Sequence, residues 1–91
     1  MLSYTVFILP VGEGKVKTYS PDFSLYGEYE DYISALKGMQ DALDEKVKEI
    51  TASGQTVAEP LDFIGCIKVA RKQQDKFDHS KALVKIIDVK N

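Results

Sequence analysis

Asp31-Tyr32-Ile33-Ser34-Ala35-Leu36-Lys37-Gly38-Met39-Gln40-Asp41-Ala42-Leu43-Asp44-Glu45-Lys46-Val47-Lys48-Glu49-Ile50 is the stretch that decides the fold. Tyr32, Ala35, Leu36, Met39, Ala42, Leu43, Val47 and Ile50 recur at the i, i+3, i+4, i+7 spacing of one helical face. Lys37, Asp41, Asp44 and Lys48 fall on the other side, where Asp44 and Lys48 stand as a favourable i, i+4 pair. Asp31 has the chemistry of an N-cap, and Gly54, after Ser53, that of the residue just beyond a helix C-terminus. Gly38 inside the helix costs about 1 kcal/mol against alanine. The compensation expected for it is a close approach of helix to sheet.

Upstream the period is two. Ser3-Tyr4-Thr5-Val6-Phe7-Ile8-Leu9 is β-branched and aromatic and ends at Pro10, which predicts a strand. Gly12-Glu13-Gly14 follows as a loop able to take positive φ angles. Lys15-Val16-Lys17-Thr18-Tyr19-Ser20 alternates, with Lys15, Lys17 and Tyr19 on one face and Val16 and Thr18 on the other, as in a half-buried antiparallel strand. Pro21-Asp22 interrupts it, and residues 23–29 form a third, weaker extended segment.

Downstream, residues 55–60 connect. Leu61, Ile64, Ile67, Ala70 and Arg71 fit a helical face with Asp62 as cap, while Phe63, Gly65, Ile67 and Val69 fit a strand equally well. The spacing of Lys68, Arg71, Lys72 and Lys76 favours a solvated helix fraying near Phe77. Leu83-Val84-Lys85-Ile86-Ile87-Asp88-Val89 closes the chain as a strand. The order β-β-β-α-(α)-β predicts an α+β fold: three N-terminal strands and a C-terminal one in an antiparallel sheet, with one main helix packed on a face.

The chain has 91 residues, 44% of them apolar and 29% charged, enough for a single domain over residues 1–91. No apolar run approaches the roughly 18 residues that would span a membrane, and the N-terminus lacks a signal-peptide pattern. A cytoplasmic protein is therefore expected. One cysteine, Cys66, excludes an internal disulfide and a cysteine-rich zinc site. Residues 1–60 hold 5 Lys and 10 Asp or Glu, whereas residues 61–91 hold 7 Lys or Arg and 4 Asp. The acidic first two-thirds repels phosphates and favours a basic protein over DNA as partner.

Motifs that would carry catalysis are missing. Gly12-Glu13-Gly14 has Lys17 where a dinucleotide fingerprint needs its third glycine, and a strand rather than a helix follows, so it reads as a hairpin turn. Cys66 lies in an apolar run and His79 in a polar one, which predicts a buried inert thiol and a loop histidine rather than a nucleophile and its base. Neither a metal site nor a cofactor site can be assembled, nor a carboxylate pair in contrasting environments. A non-enzymatic protein is expected.

The aromatics carry more. Tyr19, Phe23, Tyr26, Tyr29 and Tyr32 fall close together and are interleaved with Glu28, Glu30 and Asp31. Platforms that stack single-stranded nucleic acid are normally flanked by Lys and Arg, not acids. Tyrosine is enriched at protein interfaces, so Tyr26, Glu28, Tyr29, Glu30 and Tyr32 are the candidate partner-binding patch. The alternative is a nucleic-acid contact through Lys68, Arg71, Lys72 and Lys76.

Pro21-Asp22-Phe23 after two strands, Gly27 soon after, and the helix from Asp31 to Leu43 together resemble the HicB-like antitoxin family. Residues 55–62, with Glu59-Pro60, and the closing strand extend the likeness, which leaves residues 63–82 unmatched. The resemblance implies a partial ribonuclease-H-like fold, shared without ribonuclease H activity. It further implies a toxin–antitoxin role, in which the chain masks a small basic HicA-type ribonuclease that cuts messenger RNA. Two departures stand out. The chain ends at Asn91 without the ribbon–helix–helix or helix–turn–helix domain many members append, so no direct DNA binding is expected. Phe23-Ser24-Leu25-Tyr26 replaces the Leu-Pro-Gly-Cys stretch that usually follows Pro-Asp. An orphan domain of the same fold that binds nucleic acid or self-associates is the alternative. Open sheet edges predict a homodimer under either reading.

Overall fold

In the computed structural model, which describes residues 2–89, the helical spacing becomes α1, Tyr32–Ala52. Its N-terminus forms as the capping chemistry requires: the Asp31 side chain accepts the Ser34 N–H at 2.7 Å from an extended backbone. That bond holds the Asp31 carboxyl below its usual pKa. At the other end Gly54 takes φ +82°, and the Gly54 and Gln55 N–H groups donate to the Thr51 and Ile50 carbonyls, which closes a Schellman motif. Asp44 accepts from Gln40 at 3.4 Å, and Lys46 pairs with Glu49 at 3.9 Å, so the expected Asp44–Lys48 pair gives way to other partners.

Four strands form one antiparallel sheet in the order β3-β2-β1-β4: β1 Leu2–Gly12, β2 Lys15–Ser20, β3 Leu25–Tyr29 and β4 Leu83–Val89. The predicted class, with three N-terminal strands, a C-terminal strand and a main helix on one face, is the one observed. Gly12, Glu13 and Gly14 all have positive φ, which makes that segment the β1–β2 turn. Three boundaries differ from expectation: β1 runs past Pro10, β3 starts at Leu25 rather than at residue 23, and the second helix ends at Lys72 rather than fraying near Phe77. β4 pairs with β1 only up to Ile8, so Pro10 lies beyond it on a free edge where a missing N–H costs nothing. The register shifts between Pro10 and Gly12.

The helical segment in doubt is α2, Phe63–Lys72, with Asp62 accepting the Gly65 N–H at 2.7 Å as its cap. A short 3₁₀ turn at His79–Lys81 leads into β4. The two helices bury opposite sides of the sheet. Ala35, Met39, Leu43 and Val47 of α1 meet Tyr4, Val6, Ile8, Val16, Ile87 and Val89. Cys66 and Ala70 of α2, with Phe77 beyond it, meet Phe7 and Tyr19. The second layer changes the reading of β2: Tyr19 is on the same face as Lys15 and Lys17, as its alternation requires, yet it is fully buried. Thr18 on the α1 side is buried too, and donates to the Met39 sulfur at 3.0 Å.

Gly38 proves to be a packing device. The Tyr29 ring lies where a Cβ on Gly38 would go, and a Cβ on Gly27 would come within 2.7 Å of the same ring. The tyrosine is thus wedged between a glycine of β3 and a glycine of α1, which sets how closely helix and sheet approach. Gly38→Ala in an exposed helix would gain about 1 kcal/mol. Here it should cost about 1–3 kcal/mol from overpacking, measured by urea denaturation, and a stabilised variant would show that the ring yields freely.

Candidate partner-binding surface

Register across the four strands lines up one row on the α2 side: Val84 opposite Phe7, Phe7 opposite Tyr19, and Tyr19 opposite Tyr26. Phe7 and Tyr19 rings lie 6.4 Å apart, and Tyr19 and Tyr26 stack at 4.8 Å with planes 20° apart. Phe77 packs against Tyr19 at 5.5 Å from the chain that leaves α2. Burial, with the neighbouring Tyr26 adding to it, pushes the Tyr19 phenol up to about 12. Tyr26 is the solvent end of this row, 44% exposed, with its hydroxyl 3.4 Å from the Gln73 side-chain oxygen.

Two clefts flank the outer part of β2 and β3. The first, about 370 Å³, is lined by Lys17, Tyr26, Glu28, Lys76 and Phe77 among others. The second, about 250 Å³, takes in Val11, Lys15, Glu28, Tyr29 and Glu30. Lys17 and Glu28 border both, paired across the strands at 3.8 Å and well exposed. An exposed pair of this kind contributes little to stability, so both groups are available to a partner.

The five residues of the predicted patch do not share one face. Tyr26 and Glu28 project to the α2 side, while Tyr29 turns to the α1 side and is wedged under the helix. Burial, aided by Asp41, raises the Tyr29 phenol pKa. Glu30 is exposed just beyond β3, and Tyr32 packs its half-buried ring on the α1 core. The alternation of a strand separates Tyr26 and Glu28 from Tyr29. Tyr26, Glu28, Tyr29 and Glu30 nevertheless meet along the two clefts. Lys68, Arg71 and Lys72 are exposed on α2, and Lys76 reaches the first cleft beside Tyr26 and Glu28. Lys17 and Phe77 are cleft residues that the sequence reading left out, because only the fold brings residue 77 to β2.

Asp22 is the other position that gains a role. Its half-buried carboxylate accepts the Leu61 N–H at 2.7 Å and faces the Cys66 thiol at 3.9 Å, so it ties the β2–β3 connection to the start of α2. Burial raises its pKa, against the opposing pull of the Leu61 bond. Cys66 is buried, and that burial raises its pKa as well, a state opposite to that of a reactive thiolate. The polar neighbours of its sulfur include Asp22, the Leu61 carbonyl and Thr5. His79 packs edge-on against Phe7 at 5.9 Å, at the opposite end of the chain from α2 to β4. Among the described residues no group of three or more His, Cys, Asp and Glu is placed to hold a metal ion. No helix among them is long and apolar enough to cross a membrane.

No protein-family model matches the chain, and no curated protein matches it. Among solved structures the fold is that of an antitoxin. The antitoxin HicB of Burkholderia pseudomallei superposes with a TM-score of 0.75 at 14% identity, over 99% of this chain and 63% of that one. The separate N-terminal domain of the same antitoxin gives 0.74 at 13% identity, over 99% of this chain and all of that one. This chain therefore spans less than two-thirds of the longer protein and has the fold of its N-terminal domain.

The Asp22 carboxylate has a raised pKa in the folded chain, so its titration favours folding as pH falls through the carboxylate range and disfavours it above. Asp22→Asn removes that titration but keeps an acceptor for Leu61. Relative to the native chain, the variant should be at its best at pH 7 and lose that standing toward pH 4. Urea denaturation at the two pH values measures the difference, and a pH-independent gap would mean that Asp22 is not desolvated.

Proposed function

We propose that this chain is a non-enzymatic binding module of the antitoxin kind, which neutralises a small basic HicA-type ribonuclease by covering it. The observation that supports this most is the likeness of fold to the HicB N-terminal domain across nearly the whole chain. A second support is the chemistry of the β3 edge. β3 is paired only with β2, and its exposed side chains Tyr26 and Glu28, with Glu30 beyond, offer an aromatic anchor and two carboxylates to a basic surface. Tyr29 and Tyr32 then act from behind, fixing the strand against α1 rather than touching the partner.

In the same proposal the chain forms a homodimer in the cytoplasm. β4 is the other open edge, and Leu83, Val84 and Ile86 on it are each about half exposed. Equilibrium sedimentation should return twice the chain mass, and Ile86→Lys should return the monomer. A monomeric native chain at high concentration would remove self-association from the account.

Co-expression with a small basic protein encoded beside the gene should rescue growth and give a complex that co-purifies. Absence of any complex would overturn the antitoxin reading. The double variant Glu28→Gln, Glu30→Gln should slow association several-fold while changing thermal stability little, since exposed charges act chiefly on encounter. An unchanged association rate would remove the β3 edge as the contact.

A further inference from the structure

We propose that the α2 side of the sheet binds single-stranded nucleic acid, with Tyr26 stacking on a base and Lys17, Lys72 and Lys76 meeting the phosphates. The inference does not rest on the antitoxin reading, although it takes the same Tyr26 surface, and it comes from what the fold puts beside Tyr26. In sequence the neighbours of Tyr26 are acidic; in space, Lys17 from β2 and Lys76 from beyond α2 line its cleft. Tyr19 covers one face of the Tyr26 ring at 4.8 Å, so the exposed area belongs to the other face and the edges. A ring backed in this way is rigid, and a rigid exposed ring bordered by lysines is the arrangement that holds unpaired bases without reading sequence.

Charge complementarity extends the site along α2. Lys68, Arg71 and Lys72 are exposed there, and Phe63–Lys72 contains no acidic residue. The carboxylates on this side are largely engaged. Asp22 accepts from Leu61 and faces Cys66, Asp62 caps the helix, Asp78 accepts from Gln74 and Ser80, Asp75 adjoins Lys76, and Glu28 lines the cleft while pairing with Lys17. The pair at Glu28 is exposed and cheap to open, so Lys17 can exchange a carboxylate for a phosphate. A duplex, whose bases are already stacked on both sides, has nothing to offer Tyr26.

The test is fluorescence anisotropy of labelled oligo-uridine and oligo-thymidine of about 12 nucleotides, within the span of known single-strand sites. Titrations run with the whole chain between about 50 and 200 mM salt. Both strands should bind, and an unlabelled duplex should compete poorly. Tyr26→Ala should weaken binding roughly tenfold, whereas Tyr26→Phe, which keeps the ring on Tyr19, should bind as the native chain does. Lys72→Ala with Lys76→Ala should reduce the slope of log affinity against log salt by about 1.4. Both lysines are exposed, so this variant tests the site even where Tyr26→Ala melts early. Glu28→Gln should tighten nucleic-acid binding, the reverse of the effect that loss of this charge has on a basic toxin. No binding at about 50 mM salt would overturn the proposal. So would a folded Tyr26→Ala variant of native affinity, or a duplex that competes as well as a single strand.

Discussion

The central constraint on this molecule is that β1 is buried on both faces. Tyr4, Thr5, Val6, Phe7 and Ile8 are consecutive and all nearly inaccessible, with β2 on one edge and β4 on the other. Since neighbouring side chains in a strand point to opposite faces, five buried in a row require cover on both. α1 covers Tyr4, Val6 and Ile8, and α2 with Phe77 covers Phe7. Loss of either layer would return large aromatic and aliphatic groups to water, at about 1.5–3 kcal/mol for each side chain exposed. That is a severe loss for a domain whose whole stability is of the order of 5–15 kcal/mol.

The two covers differ in kind. α1 is 21 residues long, capped at both ends and held at a fixed distance by Tyr29 between Gly27 and Gly38. α2 has 10 residues and buries only Cys66 and Ala70 fully. It is secured at its start by Asp22 and completed by Phe77, which arrives from outside the helix. This difference explains what could be read from the amino-acid pattern. The α1 face repeats over five turns, so its period and both caps were evident. In α2, small residues face the sheet while Phe63 and Ile64 remain exposed, so the apolar pattern does not mark the buried side. The helix and strand readings therefore tied, and basic spacing alone tipped them correctly.

The tyrosines illustrate the same limit at the candidate site. Tyr19, Tyr26, Tyr29 and Tyr32 look alike in sequence, and their separate fates follow from strand parity and from the two glycines. Tyr19 is hidden because α2 exists as a second layer, Tyr29 is half-buried because Gly27 and Gly38 leave room for its ring, and Tyr32 is half-buried because it packs on the α1 core. Tyr26 alone of the four keeps a large exposed area. The acidic character assigned to its surroundings was correct along the chain and incomplete in space, since Lys76 is fifty positions away and reaches the cleft only through the path of residues 73–77.

The basic charge on α2 is only partly explained by what stabilises the fold. Arg71 and Lys72 in the last turn favour the helix through its dipole. Lys68 does not share that benefit, and it stands at i, i+3 and i, i+4 from Arg71 and Lys72, spacings at which like charges repel by a few tenths of a kcal/mol. None of the three enters an ion pair among the described residues; those pairs are Lys17–Glu28, Lys46–Glu49 and Lys81–Asp78. A neutral polar residue at position 68 would suit the helix better. In the proposed nucleic-acid site a ligand of opposite charge would offset that small cost, and the exposed ring of Tyr26, beside Lys76 in the cleft, would add a contact of another kind. Stacking supplies what lysines alone lack, a way to hold a strand by its bases as well as by its phosphates.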